Sequence, residues 1–329
     1  MTRGGAMCAA DVVDVSVIIA AWKAAAFIEK AISSALASTG VSVEIIAVDD
    51  ASPDETFEVL RRIADADTRV VALRLPSNSG PSAARNMGIQ AAQGRYIAVL
   101  DADDAMAPGR LADLVATAKA ANADIVVDNM TDVDETGRPL AATPFLKSAD
   151  FAAARDIDLA TWIRFNNPMS GGDTLGYLKP LIRRSKLVET GISYDPSLRN
   201  SEDYYLIANL LAAKSRMHYI PSAGYFYTRS PGSTSHRLKP DQTRAWLDAE
   251  ARFVAQHGAI LSDKERKAQA QRSRALRNVN QLIALIDTLK TRKLGASLRL
   301  MAADLHGATY ALGVLSKVAL GKMLGRKTV

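Results

Sequence analysis

Residues 96–104 read Tyr-Ile-Ala-Val-Leu-Asp-Ala-Asp-Asp, and residues 44–52 read Glu-Ile-Ile-Ala-Val-Asp-Asp-Ala-Ser. Each is a short apolar run that ends abruptly in acids. A strand covered on both faces reads as such a run rather than as alternation, which is the mark of a parallel sheet. Working outward, Val15–Ile19, Val70–Leu73 and Asp124–Asp128 read the same way. Between the runs lie segments of helical spacing: Ala26–Thr39, a stretch carrying Phe57, Leu60 and Ile63, Ser82–Ala92, and Pro108–Ala121. Gly40 and Gly94 close two of them, and Ser52 with Glu55 has the spacing of a capping box. Strands alternating with helices of this length define an α/β fold, with a mostly parallel central sheet and helices on both faces.

In such sheets, ligands collect at the carboxyl ends of the strands. Asp49 and Asp50 stand at one such end; Asp101, Asp103 and Asp104 stand at another. If the two strands are neighbours, five carboxylates converge on one edge and need a compensating cation. Oxygen donors without thiols or imidazoles suit Mg²⁺ or Mn²⁺. Taken singly, a loop aspartate is as well explained as a turn or cap.

Regularity loosens after Asp134. Asn166–Gly176 reads as a loop, Leu206–Ala213 as a helix, and His218–Ile220 and Tyr225–Tyr227 as two short strands. The tail is helical. One helix starts near Asp241, a second follows a Ser262/Glu265 capping box, and Gly295–Gly325 reads as a last one. From Arg237 to Val329 there are 18 Lys/Arg and 7 Asp/Glu, whereas residues 1–236 hold 23 and 28, so the net charge of +6 belongs to the tail. An acidic front with a basic tail points away from a nucleic-acid partner. With 48% apolar and 23% charged residues the chain can bury a core, and one cysteine, Cys8, frames no disulfide. Residues 1–13 read as a flexible N-terminus without a secretory signal, no apolar run is long enough to span a membrane, and a cytoplasmic location is the expectation.

There is no G-x-x-x-x-G-K-[ST] loop, no G-x-G-x-x-G after a strand, no G-x-S-x-G elbow and no H-E-x-x-H. The segments EIIAVDDAS and YIAVLDADD, together with Val15–Ile19, GPSAARNMG (80–88), KPLI (179–182), NSEDYY (200–205) and YFYTRSPGSTS (225–235), occur in an order that resembles the family 2 inverting glycosyltransferases of GT-A fold. The resemblance covers residues 14–236, with the nucleotide-binding half running to about residue 130 and the acceptor half after it; residues 237–329 form a helical extension outside it. It departs at Ala20-Ala21-Trp22, where the family often has Pro followed by Asn or Tyr.

The resemblance implies a role for each motif residue. Asp50, with Asp49 beside it, would meet the base or ribose of a nucleotide-diphosphate sugar, and a carboxylate accepting from uracil N3–H fits a uridine nucleotide. Asp101-Ala102-Asp103 matches the family's D-x-D element, with Asp101 towards the ribose and Asp103 on the divalent ion. Asp104 would support that site or cap the helix after Pro108. Arg85 would lie near the nucleotide, or pair structurally with Asp101 or Asp50. Asp203 would deprotonate the acceptor hydroxyl and Glu202 would orient it, although without the resemblance both read equally as charges complementing a helix dipole. Arg229, Ser233 and Ser235 would close on the diphosphate, and Lys179 is a weaker contact for phosphate or acceptor.

The basic run Lys264–Arg277 reads as a solvated helix face, while the last helix mixes leucines with Lys and Arg, a pattern suited to an anionic membrane surface, a partner or the core itself. The expected partners are thus a nucleotide sugar, UDP-glucose first, and a saccharide acceptor that is lipid-linked on the inner face of the cell membrane. The plan is similar to transferases of bacterial exopolysaccharide synthesis, including those of succinoglycan. Two readings compete: an α/β nucleotidyltransferase or phosphotransferase, which would want a Gly-rich loop where Ala20–Ala26 stands, and a receiver-like signalling domain, whose strand spacing does not match.

Overall fold

The computed structural model describes residues 13–168, 172–229 and 238–323. Residues 1–12 of the expected flexible N-terminus, Ser233, Ser235 and the end of the last expected helix lie outside them. The chain begins β1 (Val15–Ala21), α1 (Ile28–Leu36), β2 (Val43–Asp49), α2 (Thr56–Ala66), β3 (Val70–Arg74), α3 (Pro81–Ala91), β4 (Tyr96–Val99), β5 (Ala105–Met106), α4 (Arg110–Ala120) and β6 (Ile125–Val133). It continues through β7 (Arg155–Asp156), α5 (Leu159–Phe165), β8 (Leu181–Arg183), α6 (Arg184–Thr190), α7 (Glu202–Ala212) and β9 (Met217–Thr228). Four helices follow: α8 (Pro240–His257), α9 (Asp263–Lys290), α10 (Leu294–Ala303) and α11 (Leu305–Met323). The described residues divide into two units. The first draws on Met1–Asp158, Tyr177–Pro196 and Asn209–Pro231, the second on Leu159–Gly176, Ser197–Ala208 and Gly232–Val329.

The first unit holds a nine-stranded sheet in the order β3-β2-β1-β4-β8-β6-β9-β5, with β7 on β9. Strands β1 to β4 pair in parallel, and β8 runs antiparallel to both β4 and β6. The apolar runs of β1, β2 and β4 are buried on both faces as expected, with Val17, Ile18, Ile45, Ile46, Ile97 and Ala98 fully excluded from solvent, whereas β3, at the sheet edge, leaves Val71 exposed. Gly94 is needed for closeness rather than for a turn: a Cβ there would stand 2.5 Å from the backbone nitrogen of Ser16.

Four local expectations are corrected. Strands β2 and β4 are not neighbours, because β1 lies between them. Ser52 and Glu55 form no capping box; Ser52 Oγ instead accepts from the Lys23 amide at 3.0 Å, and Asp54 binds the Thr56 hydroxyl at 2.6 Å at the start of α2. The two short strands near residue 220 are one strand, β9, which pairs with β6 in parallel. Residue Ile220 faces Asp128 and Tyr225 faces Met130, so Pro221–Gly224 bulge out opposite a single residue. The last expected helix is two, broken at Asp304, whose extended backbone separates α10 from α11.

The second unit is helical. Helix α9 packs with α5, α8, α10 and α11, and its Ser262/Glu265 capping box forms as the sequence indicates. Leu282, Leu285 and Ala311 make a small core, with Ile286, Met301 and Leu315 against it.

Candidate active site

The strand ends of the first unit bring together most of the acids and bases singled out from the sequence, each in a different state. Asp49 is fully buried; its carboxylate accepts from the Ser52 amide at 3.2 Å and pairs with Arg74 Nε at 3.1 Å. It finishes the strand, which is the turn role open to it from the outset. Asp50 is also buried and accepts the amides of Ser79 at 2.7 Å and Gly80 at 2.8 Å, together with the Asn78 side-chain amide at 3.0 Å. A carboxylate offers about four acceptor positions, so one remains. Two adjacent residues hold the left-handed backbone these contacts require: Ala51 at φ 52° and Gly80, at the start of α3, at φ 90°.

Across β1, two strand spacings or about 10 Å away, Asp101 carries two cations. Lys179 Nζ lies 2.8 Å from one carboxylate oxygen and Arg85 Nη2 lies 2.8 Å from the other. Burial opposes ionisation of Asp101, but Lys179 and Arg85 outweigh it and hold the carboxyl well below the usual aspartate range. Both cations are themselves buried. Lys179, the weaker candidate in the sequence, is thus a principal member of the site, and Arg85 takes the ion pair with Asp101 while its guanidinium lies 5.3 Å from the Tyr194 ring centre.

Asp103 differs from both. Its side chain is exposed, yet crowding by surrounding protein and repulsion by Asp101 push its carboxyl upward. Asp104 turns inward, accepting the Tyr225 hydroxyl at 2.6 Å and the Thr228 amide at 2.7 Å. It does not cap the following helix: Gly109 stands at that cap with no side-chain bond. Burial and its two acidic neighbours raise the Asp104 carboxyl well above its ordinary value. Tyr225, whose hydroxyl also accepts from the Asp101 amide at 3.1 Å, ties the acidic turn to β9. No local pattern signals this bridge, because Asp101 and Tyr225 are 124 positions apart.

Arg229 pairs with Asp132 at 3.1 Å and lies 4.6 Å from the Tyr227 ring centre. Ser233 falls outside the described residues. Trp22, which no motif marked, is 49% exposed at the end of β1, the strand between β2 and β4. Lys23 beside it takes φ 53°, a second strained position at these strand ends after Ala51. Glu202 and Asp203 belong to the second unit, where both are buried in the first turn of α7.

The fit to a divalent ion rests on this donor set. Among the described residues no three His, Cys, Asp or Glu side chains cluster as ligands. Asp101 is already committed to two cations and Asp104 to two donors, leaving Asp103 as the exposed carboxylate. A single carboxylate suits Mg²⁺ or Mn²⁺, which keep waters and take remaining ligands from substrate phosphates.

A mixed sheet whose parallel half, β3-β2-β1-β4, meets an acidic turn at its carboxyl edge has the GT-A glycosyltransferase fold. Residues 16–169 match the family described as Glycosyl transferase family 2. The succinoglycan biosynthesis protein ExoO of Rhizobium meliloti is 38% identical over 291 residues, which is 88% of this chain and 82% of that protein. Staphylococcus aureus TarS 1-349 in complex with UDP-GlcNAc superposes with a TM-score of 0.59 at 16% identity, covering 88% of this chain and 91% of that one. The mannosyltransferase PcManGT of Pyrobaculum calidifontis, with GDP-Man and Mn²⁺, gives 0.57 at 16% identity over 94% and 83%. The chain belongs to glycosyltransferase family 2, and it is a glycosyltransferase.

Proposed function

We propose that this chain is a metal-dependent, inverting transferase that moves a sugar, glucose first, from a uridine-diphosphate donor to a saccharide acceptor in exopolysaccharide synthesis. The observation that carries the reading is the division of labour at residues 101–104. Asp101 is held ionised by Lys179 and Arg85, while Asp103 is exposed and its carboxyl is pushed upward by surrounding protein and by Asp101. Asp103 would hold Mn²⁺ or Mg²⁺, which supplies charge neutralisation for the departing diphosphate. Lys179 and Arg85 keep Asp101 anionic and oriented towards the donor's ribose. The one acceptor position left on Asp50 receives the uracil N3–H, and the exposed Trp22 indole offers the base a stacking face. Arg229 contacts the diphosphate. In the second unit, Asp203 takes the acceptor's proton and Glu202 orients the hydroxyl. Attack in a single displacement, opposite the leaving group, inverts the anomeric centre.

The relative's name supports succinoglycan-type chemistry for the acceptor, and the tail supports a lipid carrier for it. Leu289 and Leu298 are exposed, as are Lys290, Arg292, Lys293 and Arg299 beside them in the chain, and no described helix is long and apolar enough to cross a membrane. Exposed leucines interspersed with cations suit peripheral docking on anionic lipid. The test is a screen of purified protein against nucleotide sugars with Mn²⁺, reading hydrolysis and then transfer, with Asp203→Asn alongside. Loss of roughly 100- to 10,000-fold in transfer with donor binding intact is expected of that variant; wild-type turnover by it would refute the assignment of the base.

A further inference from the structure

The second unit contains a buried polar assembly for which donor binding has no use. Arg272 belongs to the basic run expected to form a solvated face, yet it is only 3% exposed. Its guanidinium lies 3.5 Å from the centre of the Tyr204 ring, Nη1 donates to the Asn166 carbonyl, and Nε stands 3.5 Å from Glu250 Oε2. Glu250, buried too, accepts from Gln269 at 2.6 Å, Ser273 at 2.7 Å and the Tyr205 hydroxyl at 3.2 Å. Tyr204 in turn stacks parallel to Trp162, whose indole N–H donates to the Tyr204 carbonyl at 3.2 Å.

A buried ion pair is a poor way to gain stability, since apolar side chains of equal volume serve as well or better; its best-attested use is to fix one arrangement. What it fixes here is adjacent in the chain. Tyr204 and Tyr205 directly follow Glu202 and Asp203, and the residue before that pair, Ser201, takes φ 61°. A side chain in the left-handed region persists only where its surroundings over-determine it. On that side the Trp246 indole donates to Asn200 Oδ1 at 2.8 Å, and Arg252 donates to Ser197 Oγ at 2.9 Å. The acidic pair is therefore pinned from before by α8 and from behind by α8 and α9.

We propose that Arg272 is a positioning residue for sugar transfer: by clamping Tyr204 and the Asn166 carbonyl it locks the first turn of α7 and aims Asp203 at the acceptor hydroxyl. The inference rests on the functional reading above, in which Asp203 is the base. It gives the basic tail a part in the transfer step itself.

Two variants test it. Arg272→Lys keeps a cation over Tyr204 but loses the planar fork, whereas Arg272→Met combined with Glu250→Gln removes both buried charges together. Transfer from UDP-glucose gives kcat and donor KM, calorimetry gives affinity for uridine diphosphate with Mn²⁺, and thermal melting reports folding. Misplacement of a reacting group by about 1 Å can lower rates roughly 100-fold. The double variant should accordingly lose about 30- to 100-fold in kcat, with donor KM and diphosphate affinity within about twofold of wild type, and Arg272→Lys should fall in between. A merely structural role would lower the melting temperature without this split. A folded double variant with kcat within about threefold of wild type overturns the proposal, as does parallel loss of kcat and diphosphate binding. Should the double variant not fold, Arg272→Lys decides: a loss of about fivefold or more in kcat with intact diphosphate binding supports the clamp, and a smaller one overturns it. A wild-type protein that transfers from no nucleotide sugar would instead overturn the functional reading, and the clamp with it.

Discussion

Replacing Lys179 with Met removes one of the two cations on Asp101 while preserving most of the side chain's length. Losing a partner from a buried ion pair typically destabilises by about 3–5 kcal/mol, because a charge is stranded. Here Arg85 stays at 2.8 Å, and the Asp101 side chain is 25% exposed to solvent, so a loss of about 2–3 kcal/mol is expected instead. For a unit of this size that corresponds to a fall of about 5–10 °C in melting temperature. The pH dependence sharpens the test. Because the folded state lowers the Asp101 pKa, its stabilisation is fully present above the unfolded value of 3.8 and is lost as pH falls towards the folded one. The gap between variant and wild type should then be widest at neutral pH and narrow below about pH 4. Adding Asp101→Asn to Lys179→Met should not recover the loss at pH 7, since the buried Arg85 guanidinium then loses its own carboxylate partner. Melting curves of the three proteins from pH 3 to 8 provide the assay. A Lys179→Met gap that is constant with pH would refute the claim that Lys179 acts by neutralising Asp101.

Three further outcomes follow from the same geometry. Asp103→Asn should abolish the Mn²⁺-dependent protection of the protein by uridine diphosphate without lowering the melting temperature of the metal-free protein. Because the Asp103 carboxyl is raised, the wild-type Mn²⁺ effect should weaken as pH falls through the acid range. Tyr225→Phe deletes a hydroxyl that donates to Asp104 and accepts from the Asp101 amide, and denaturant unfolding should show a loss of about 1–3 kcal/mol. Trp22→Ala alters an exposed side chain, so stability should move by less than about 0.5 kcal/mol, while removal of a stacking face worth about 1–3 kcal/mol should raise donor KM by roughly 5- to 150-fold; an unchanged KM would remove Trp22 from the site.

The features legible in the sequence are those set by local pattern. Continuous apolar runs located β1 to β4, in β1, β2 and β4 because burial on both faces leaves no polar alternation, and the acids ending two of those runs marked the ligand edge. Ser262 and Glu265 announced the start of α9 because both halves of a capping box lie within one turn. The failures share a cause in distance along the chain. Nothing near residues 49 and 101 says that β1 separates their strands. Pro221 and Gly224 look like the end of a strand, yet β9 continues past them, because β6 supplies pairing on both sides of the bulge and Gly224 allows the Arg110 side chain within 3.0 Å of where a Cβ would sit. Ser52 has the composition of a cap, but the Lys23 amide, 29 residues away, claims its hydroxyl. Arg272 resembled any other solvated charge, and only Tyr204 and Glu250, brought in from elsewhere in the chain, reveal that it is buried.

The placement of Lys179 bears on how this protein is cut for experiments. The residues that match the family, 16–169, include every acid of the donor site and stop ten positions short of that lysine and twelve short of β8. A fragment trimmed to the match would keep the carboxylates while discarding one of the cations that hold Asp101 ionised, and would bare the flank of β4 that β8 covers. Such an uncovered strand flank invites chain-to-chain association, so weak nucleotide binding or clumping by that fragment would report on the scissors rather than on the enzyme.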